Sequence, residues 1–352
     1  MTIQLATIDD VRSAAVVIAK FLSPAPLIRS YELEKELKLA PGRRVWIKDY
    51  GWTPVGSFKL LGALNWMAQH TAGIGERPVA AHSSGNFASG LAFAGKEFNK
   101  RVIIVMPQDA PKIKFARTRE LGAEVRTYDK ASDHLTGQRD RLTREITEQE
   151  QGVQASPYDD NDVIAGNGVG GLEIVRELTA QQRQLSHFIC SVSGGGLLAG
   201  HALAIADGYP EATIIAVEPS GADDFARSLA ADKRIRIEQP HSICDGLLSY
   251  DVGQHNWPIL RQLVSNAVCV DDEETCSAMR WLDEKHGLRS EPSGCISIAA
   301  LLSGKIDLSG DGDIAVVLSG RNVDPEDFKR WTQPLNYSHC DTTIALSETP
   351  NG

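Results

Sequence analysis

The sequence has no apolar run long enough to cross a lipid bilayer, although 42% of its 352 residues are hydrophobic. It also has no concentrated group of Lys and Arg side chains, and its formal net charge is −10. Because nucleic-acid phosphates are bound by clustered basic side chains, a nucleic-acid groove is not expected. These absences favour a globular protein with no membrane or nucleic-acid partner, acting on a small molecule.

Cysteine is scarce, and none of the cysteines forms a CxxC pair. The six are Cys190, Cys244, Cys269, Cys276, Cys295 and Cys340. Zinc ribbons and disulfide frameworks need closely spaced pairs, so neither is expected. The first residues carry Asp9 and Asp10 ahead of their apolar part and lack the features of a signal peptide, which predicts an amphipathic helix. We therefore expect reduced thiols and a cytoplasmic location.

Short apolar segments alternate with helical patterns along most of the chain. The apolar segments are residues 44–49, 77–84, 101–107, 123–129, 187–193, 213–219 and 313–320, and the helical patterns include 87–98, 112–121 and 271–286. This alternation is typical of parallel strands joined by crossover helices. Several strands are apolar at consecutive positions, which is expected when helices cover both faces of the sheet. The sequence therefore predicts an α/β protein with three layers, and its length favours two lobes.

A run of glycines follows the apolar segment 187–193 and precedes a predicted helix. Residues 193–197 have the sequence SGGGL. Consecutive glycines let backbone N–H groups converge, and the helix N-terminus adds positive charge, so the loop is predicted to bind a phosphate. It matches neither GxGxxG nor GxxxxGK[ST], which favours a monophosphate over a dinucleotide or a nucleoside triphosphate. The alternative is a tight strand-to-helix turn, which needs one glycine rather than three.

Three further loops follow strands or begin helices. Residues 82–86, HSSGN, offer hydroxyls and an amide for a carboxylate, with simple helix capping as the alternative. Ser319 ends the last predicted strand, within LSGRNVD at 318–324. Residues 290–294, SEPSG, lead into an apolar helix and favour Ser293 as its cap. Since ligands of open α/β sheets bind where strands end, these loops are predicted to share one crevice.

Residues 55–65, VGSFKLLGALN, place one lysine among apolar and small residues at a predicted helix start. Lys59 is either a surface residue or a buried amine able to attack carbonyl groups. Leu60, Leu64 and Met67 recur at helical spacing as a packing face, and Lys59 precedes that face and can point to the crevice. Lysine, phosphate loop, carboxylate loop and serine together suggest a ligand with an aldehyde, a ring nitrogen and a phosphate. Pyridoxal 5′-phosphate has these groups.

Residues 20–325 resemble the fold-type II pyridoxal-phosphate enzymes, in the branch of serine/threonine dehydratases and serine racemases. The resemblance implies a tryptophan synthase β-like fold with two open α/β/α lobes and mainly parallel sheets. It implies a large cofactor-binding domain of residues 1–77 and 159–352 and a small domain of residues 78–158 that closes over the substrate. The stretch 158–168, YDDNDVIAGNG, resembles the linker back to the large lobe. A homodimer is also implied.

The resemblance assigns roles to particular residues. GSFKLLGA at 56–63 is similar to the family motif GSFKxRGA, so Lys59 is implied to bond to the cofactor aldehyde. Asn86 of SGN is implied to contact the cofactor 3′-oxygen, and Ser319 the ring nitrogen. Ser84 is implied to exchange a proton on the opposite cofactor face. The implied phosphate-binding residues are Ser193, Gly194, Gly195, Gly196 and Leu197, and the implied substrate-binding residues are Ser83, Ser84, Gly85, Asn86 and Phe87.

Residues 217–224, VEPSGADD, resemble the divalent-cation site of serine racemases and related dehydratases. Glu218, the carbonyl of Ala222 and Asp224 are implied to bind Mg²⁺ or Ca²⁺, which prefer oxygen ligands. The alternative is an acidic helix cap. Three departures bear on the substrate rather than the cofactor. They are Phe87, Leu61 and Arg321, which stand where relatives place His, Arg and Gly.

The predicted function is removal of water from a β-hydroxy amino acid, giving a 2-oxo acid and ammonia. The substrate is expected to be of serine, threonine or 3-hydroxyaspartate type, and the enzyme a lyase of the ammonia-lyase class. Arg321 and His82 are the candidate cations for a second substrate carboxylate. The alternatives are an amino-acid racemase, a β-replacement synthase, which the phosphate loop disfavours, and a non-catalytic binding protein that keeps the fold.

Overall fold

The computed structural model of the protein describes residues 4–83, 85–110, 112–129, 131, 133 and 136–333. Its strands form a six-stranded sheet in the order β1-β2-β10-β7-β8-β9 and a four-stranded sheet in the order β5-β4-β3-β6. The strands are β1 Leu27–Arg29, β2 Val45–Asp49, β3 Val79–His82, β4 Val102–Pro107, β5 Glu124–Tyr128, β6 Val153–Gln154, β7 Leu185–Ser191, β8 Thr213–Pro219, β9 Asn266–Val270 and β10 Asp313–Leu318.

Helices connect most of these strands. They are α1 Ile8–Ile18, α2 Tyr31–Glu36, α3 Lys59–Ile74, α4 Asn86–Glu97, α5 Lys112–Glu120, α6 Gln138–Gln149, α7 Asn161–Ala180, α8 Gly196–Gly208, α9 Asp224–Ala231, α10 Asn256–Leu263, α11 Asp272–His286, α12 Pro292–Leu302 and α13 Pro325–Thr332. Thr7 and Asp271 begin α1 and α11 with reciprocal capping boxes. Among the described residues, no helix is both long and apolar enough to span a bilayer.

Strand pairing is parallel throughout both sheets except between β1 and β2, which are antiparallel. The predicted α/β class with mainly parallel sheets is therefore confirmed. Sequence patterns missed β1, β6 and β9. Strands β1 and β6 have three and two residues, too few to show a periodicity.

The core explains the consecutive apolar residues of the central strands. Val45 and Ile47 of β2 belong to one buried cluster, whereas Trp46 between them belongs to another. Alternate residues of a strand point to opposite faces, so each cluster covers one face of the six-stranded sheet. In the four-stranded sheet, Ile103 and Ile104 divide between two clusters in the same way. Both sheets are thus covered on both sides.

The topology brings the predicted loops together. Strands β10 and β7 are parallel neighbours, so Ser319 and the glycine loop emerge at the same sheet edge. Strand β2 lies on the other side of β10 and leads to α3, which Lys59 begins. The backbone N–H of Phe58 donates to the Ser319 carbonyl oxygen at 3.0 Å, which holds the start of α3 at that edge. The described strands of the four-stranded sheet lie between Val79 and Gln154, and the domain limits at 78 and 158 stay a prediction.

Candidate active site

A cavity of about 390 Å³, called the Lys59 cavity below, opens where β3, β7 and β10 end. It brings together most of the residues that the sequence predicted for cofactor and substrate. Its wall includes Lys59, Ser83, Asn86, Phe87, Ser193, Gly194, Gly195, Gly196, Leu197 and Ser319. Ser84 lies outside the described residues, and Gly85 does not line the cavity but packs against Lys114, which does, since a Cβ on Gly85 would lie 2.5 Å from Lys114 Cδ. Residues more than 200 positions apart therefore share one crevice.

The Lys59 amine is held among apolar surfaces. Its Nζ donates to the Pro157 carbonyl oxygen at 2.8 Å and lies 5.1 Å from the centre of the Phe58 ring and 5.8 Å from that of Phe87. Removal from water lowers the pKa of Lys59 to about 8. Only the unprotonated amine attacks a carbonyl, so this environment fits a lysine that bonds to an aldehyde. Leu60, Leu64 and Met67 are fully buried, as their spacing predicted.

The glycine loop joins β7 to α8. Gly195 has a φ of +99°, which residues with side chains rarely adopt, and a Cβ on Gly194 would lie 2.3 Å from the Tyr158 ring. No described residue accepts a hydrogen bond from the N–H of Gly194 or Gly195. These donors, together with the N-terminus of α8, fit a phosphate. Close packing against Tyr158 is a second reason for the glycine at 194.

The loop after β3 combines cavity lining with helix capping. Ser83 Oγ accepts hydrogen bonds from the N–H groups of Gly85 and Ala88, at 3.2 and 3.0 Å. It thereby stabilises the start of α4, the alternative role that its sequence suggested. Phe87 is buried at the first turn of α4. A substrate-binding role for this loop stays a prediction.

Asn86 and Ser319 each keep part of their hydrogen-bonding capacity. Asn86 Nδ2 donates to Glu291 Oε1 at 2.8 Å, and Asn86 Oδ1 accepts from Asn322 Nδ2 at 2.8 Å. Ser319 Oγ donates to the Ser293 carbonyl oxygen at 3.3 Å and retains its lone pairs. Their assigned contacts with the 3′-oxygen and the ring nitrogen stay predictions, and both side chains face the cavity that Lys59 lines.

The prediction that Ser293 caps the helix after SEPSG is wrong. Helix α12 begins at Pro292, and its capping position is Glu291, which makes no capping hydrogen bond. Ser293 Oγ instead accepts from the backbone N–H of Gly246 at 2.9 Å and lines the Lys59 cavity. Because Pro292 at the first helical position has no N–H, this helix start has one backbone donor fewer that needs a capping acceptor.

The structure places the two cations that the sequence proposed for a second carboxylate unfavourably for that role. Arg321 pairs with Asp49 at 3.4 Å and does not line the cavity. His82 lines it, but burial and the nearby Arg139 lower its pKa to about 4, so it is neutral near pH 7. The cavity contains Arg139 and Arg236 instead. Sequence patterns missed both, since they lie far apart in the chain and belong to no motif.

Glu218, Ala222 and Asp224 lie together at the start of α9. Both Glu218 oxygens accept backbone N–H bonds, from Phe225 at 3.2 Å and Ala226 at 2.7 Å. Asp224 is 1% exposed, and its Oδ2 has no partner among the described residues. Burial raises the pKa of Glu218 to about 8 and that of Asp224 to about 7. An unpaired buried carboxylate oxygen fits a cation ligand, although the bonds of Glu218 also match the helix-capping alternative.

Comparison with known proteins identifies the family. A family model described as pyridoxal-phosphate dependent enzyme matches residues 18–320. The chain belongs to this family. It is 34% identical over 325 residues to an L-threo-3-hydroxyaspartate ammonia-lyase of Pseudomonas sp., covering 92% of this chain and 98% of the relative. It is 32% identical over 338 residues to an enzyme of the same name from Saccharomyces cerevisiae, covering 96% and 99%.

A solved structure agrees with these relatives. Maize serine racemase superposes with a TM-score of 0.85 and 30% identity, covering 93% of this chain and 97% of that one. The comparisons confirm the predicted fold, the predicted family and a PLP-dependent enzyme of ammonia-lyase type. The racemase match agrees with the predicted alternative as well.

Proposed function

We propose that this PLP-dependent enzyme is an ammonia-lyase that converts 3-hydroxyaspartate to a 2-oxo dicarboxylic acid and ammonia. The observation that carries the proposal is a pair of guanidinium groups, Arg139 and Arg236, in the cavity that Lys59 also lines. Serine and threonine have one carboxylate, whereas 3-hydroxyaspartate has a second that needs a cation. Two relatives named as L-threo-3-hydroxyaspartate ammonia-lyases support the same substrate.

Both guanidinium groups approach the ring of Tyr250. The guanidinium carbon lies 5.9 Å from the ring centre for Arg139 and 4.6 Å for Arg236. Arg139 belongs to α6 and Arg236 to a loop after α9, so cations from separate parts of the chain meet at the Tyr250 ring. A guanidinium held over an aromatic ring keeps edge N–H groups that can bind a carboxylate through two parallel hydrogen bonds.

Acidic side chains near the two arginines leave donors available. Arg139 Nε donates to Asp140 Oδ1 at 3.2 Å, and this is the sole acceptor for its side chain among the described residues. Arg236 lies 3.5 Å from Asp251 Oδ1 and is 62% exposed. Each arginine thus has terminal N–H groups that a substrate carboxylate could engage. Lys114 is less suited because Asp245 pairs with it at 2.6 Å.

PLP, when bound, supplies an aldehyde that bonds to amines and a ring that withdraws electrons from the carbon next to the nitrogen. The Lys59 amine would hold that aldehyde until the substrate amine displaces it, and the freed Nζ would then accept the substrate α-proton as general base. The glycine-loop N–H groups would bind the phosphate, with Asn86 and Ser319 at the ring. Phe58 and Phe87 shield the amine from water, which keeps its pKa low. After the α-proton is removed, the β-hydroxyl would leave with a proton as water, and hydrolysis of the released unsaturated amino acid would give the 2-oxo acid and ammonia.

We further propose that Glu218, the Ala222 carbonyl and Asp224 bind Mg²⁺ or Ca²⁺. The partnerless Oδ2 of Asp224 supports this proposal. The proposal also includes a homodimer in the cytoplasm, and light scattering of the purified protein tests its assembly.

Product analysis tests the reaction. Purified PLP-loaded protein is incubated separately with 3-hydroxyaspartate, serine and threonine, and ammonia, 2-oxo acid and the configuration of the remaining amino acid are measured. Equal amounts of ammonia and 2-oxo acid from 3-hydroxyaspartate support the proposal. Inverted amino acid without ammonia would instead establish the racemase alternative, and a substituted amino acid formed with an added nucleophile would establish β-replacement.

A further inference from the structure

Behind Asn86, a line of hydrogen-bonded side chains leads away from the Lys59 cavity. Asn86 lines that cavity, whereas Glu291 and Asn322 line a neighbouring cavity of about 630 Å³. Arg117 extends the line from α5. None of these partners was singled out by the sequence, because residues 86, 117, 291 and 322 meet only through the fold.

The donors of Arg117 fix how Asn322 is oriented. Arg117 Nη1 donates to Asn322 Oδ1 at 2.7 Å, and an arginine can only donate. The other end of the amide, Asn322 Nδ2, therefore faces acceptors. It donates to the Val55 carbonyl oxygen at 2.8 Å and to Asn86 Oδ1 at 2.8 Å. A flipped Asn322 would oppose oxygen to oxygen at Val55 and N–H to N–H at Arg117.

The orientation of Asn86 follows from that of Asn322. Because Oδ1 of Asn86 accepts from Asn322, its Nδ2 points to the other side, where one hydrogen is donated to Glu291 Oε1 at 2.8 Å. Glu291 is 3% exposed and is held 4.0 Å from Lys114. An amide nitrogen carries two hydrogens, and the second has no acceptor among the described residues. That N–H is available to a ligand in the Lys59 cavity.

We infer that Arg117, Asn322 and Glu291 are positioning residues that make Asn86 present an N–H, rather than its oxygen, to the 3′-oxygen of the cofactor. The inference rests on the proposed cofactor site. The 3′-oxygen of a pyridoxal ring carries negative charge when ionised, so an N–H stabilises it and an amide oxygen repels it. Free Asn side chains interchange these two ends readily, and the hydrogen-bond chain removes that choice.

The hydrogen bonds from Arg117 through Asn322 to Asn86 also connect the two sheets. Arg117 lies on α5, which packs with the four-stranded sheet, whereas Asn322 follows β10 of the six-stranded sheet. Arg117 Nη2 donates to the Pro54 carbonyl oxygen at 2.7 Å, in the loop between β2 and α3. The donor that Asn86 offers to the cofactor therefore depends on α5 being docked in this position.

The test compares PLP with 3-deoxypyridoxal 5′-phosphate, which lacks the 3′-oxygen, in binding to apoprotein. Asn322→Asp replaces the Nδ2 donor with an oxygen that opposes Asn86 Oδ1, and Asn322→Ala removes the donor without adding an acceptor. Arg119→Gln, on the exposed side of α5, is the control. Affinity and the visible absorbance of bound cofactor are recorded for each protein.

Asn322→Asp is expected to weaken PLP binding by about 10- to 100-fold, the range for one hydrogen bond to a charged group, and to shift the absorbance. Binding of the deoxy analogue should change by less than about threefold, because the contact at issue is absent. Equal losses for both ligands would overturn the inference and leave a structural role only. If Asn322→Asp does not fold, Asn322→Ala must show the same preference with a smaller loss. Wild-type protein that binds no PLP would instead contradict the proposed function.

Discussion

The Lys59 amine donates a 2.8 Å hydrogen bond to the carbonyl oxygen of Pro157. Pro157 lies in the loop after β6 of the four-stranded sheet, and Lys59 begins a helix that follows β2 of the six-stranded sheet. A carbonyl accepts from either protonation state of an amine, so this bond orients Nζ without adding a negative charge that would raise its pKa. Burial is the main influence on the amine.

The lowered pKa of Lys59 predicts when the apoprotein takes up PLP. Burial disfavours the ammonium form and lowers the pKa of Lys59 to about 8, so the reactive neutral amine predominates when the pH is above that value. The rate of PLP uptake should therefore rise with pH and level off above that value. Stopped-flow absorbance across neutral to alkaline pH measures it. A midpoint of the rate-against-pH curve near the ordinary lysine pKa of about 10.4 would contradict the effect of burial. The Lys59→Ala variant should lack the pH-dependent uptake.

Removal of Arg139 should discriminate between substrates. Arg139→Ala is expected to raise KM for 3-hydroxyaspartate by about 10- to 100-fold, the loss of a charge-assisted hydrogen bond, and to leave KM for serine within about threefold. Arg236→Ala should act in the same direction. Arg141→Ala is the matched control, because Arg141 lies on the same helix and pairs with Glu145 in solvent. An equal rise in KM for both substrates would show that Arg139 maintains the shape of the cavity and does not bind the second carboxylate.

A side chain at position 195 should weaken both the fold and phosphate binding. Gly195→Ala forces a left-handed backbone at φ +99° and brings Cβ within 2.8 Å of Asn256 Cβ. The expected loss of unfolding free energy is about 1–3 kcal/mol. Gly73→Ala is the control, because a Cβ there meets no atom within 4 Å and α3 should gain about 0.5–1 kcal/mol. Denaturant unfolding with and without inorganic phosphate measures both. If phosphate raises the unfolding free energy of Gly195→Ala as much as that of the wild type, the glycine loop does not bind phosphate.

The Asp224 site predicts stabilisation by a divalent cation. Ca²⁺ or Mg²⁺ at 100 times its Kd should add about 2.7 kcal/mol of unfolding free energy to the wild type, by mass action. Asp224→Asn should lose that gain, and without cation it should be no less stable, since a neutral amide replaces a buried unpaired carboxylate. Asp232→Asn is the control, because exposed Asp232 pairs with Arg261 away from the site. Thermal unfolding with and without cation measures the stabilisation. An equal rise in Tm for the wild type, Asp224→Asn and Asp232→Asn would exclude a specific cation site at Asp224.

Local sequence was sufficient for the parts of the site that one loop or helix start provides. Lys59, the glycine loop and Ser319 were each recognisable because a strand end, a small-residue run and the needed side chain are adjacent in the chain. Their convergence followed from parallel strands that end at one edge. Asn86 was assigned by the same kind of motif.

Features that depend on distant contacts could not be predicted this way. Arg139 and Arg236 meet at Tyr250 only after both sheets are assembled, and neither has a local signal. Arg321 is the reverse case, because a position next to the crevice does not give the direction of the side chain. Its position after β10 suggested the crevice, but its side chain turns to buried Asp49. Glu291 and Asn322 belong to the loops SEPSG and LSGRNVD, but only the fold brings them together at Asn86.

The ratio of kcat/KM for 3-hydroxyaspartate to that for serine measures directly whether the enzyme prefers a substrate with a second carboxylate. It compares the transition-state stabilisation of two substrates that differ by one carboxylate, on one PLP-loaded preparation. We expect a ratio of at least about 10 in the wild type, falling toward one in an Arg139→Ala/Arg236→Ala double variant. A wild-type ratio at or below one, with serine turned over efficiently, would contradict this preference.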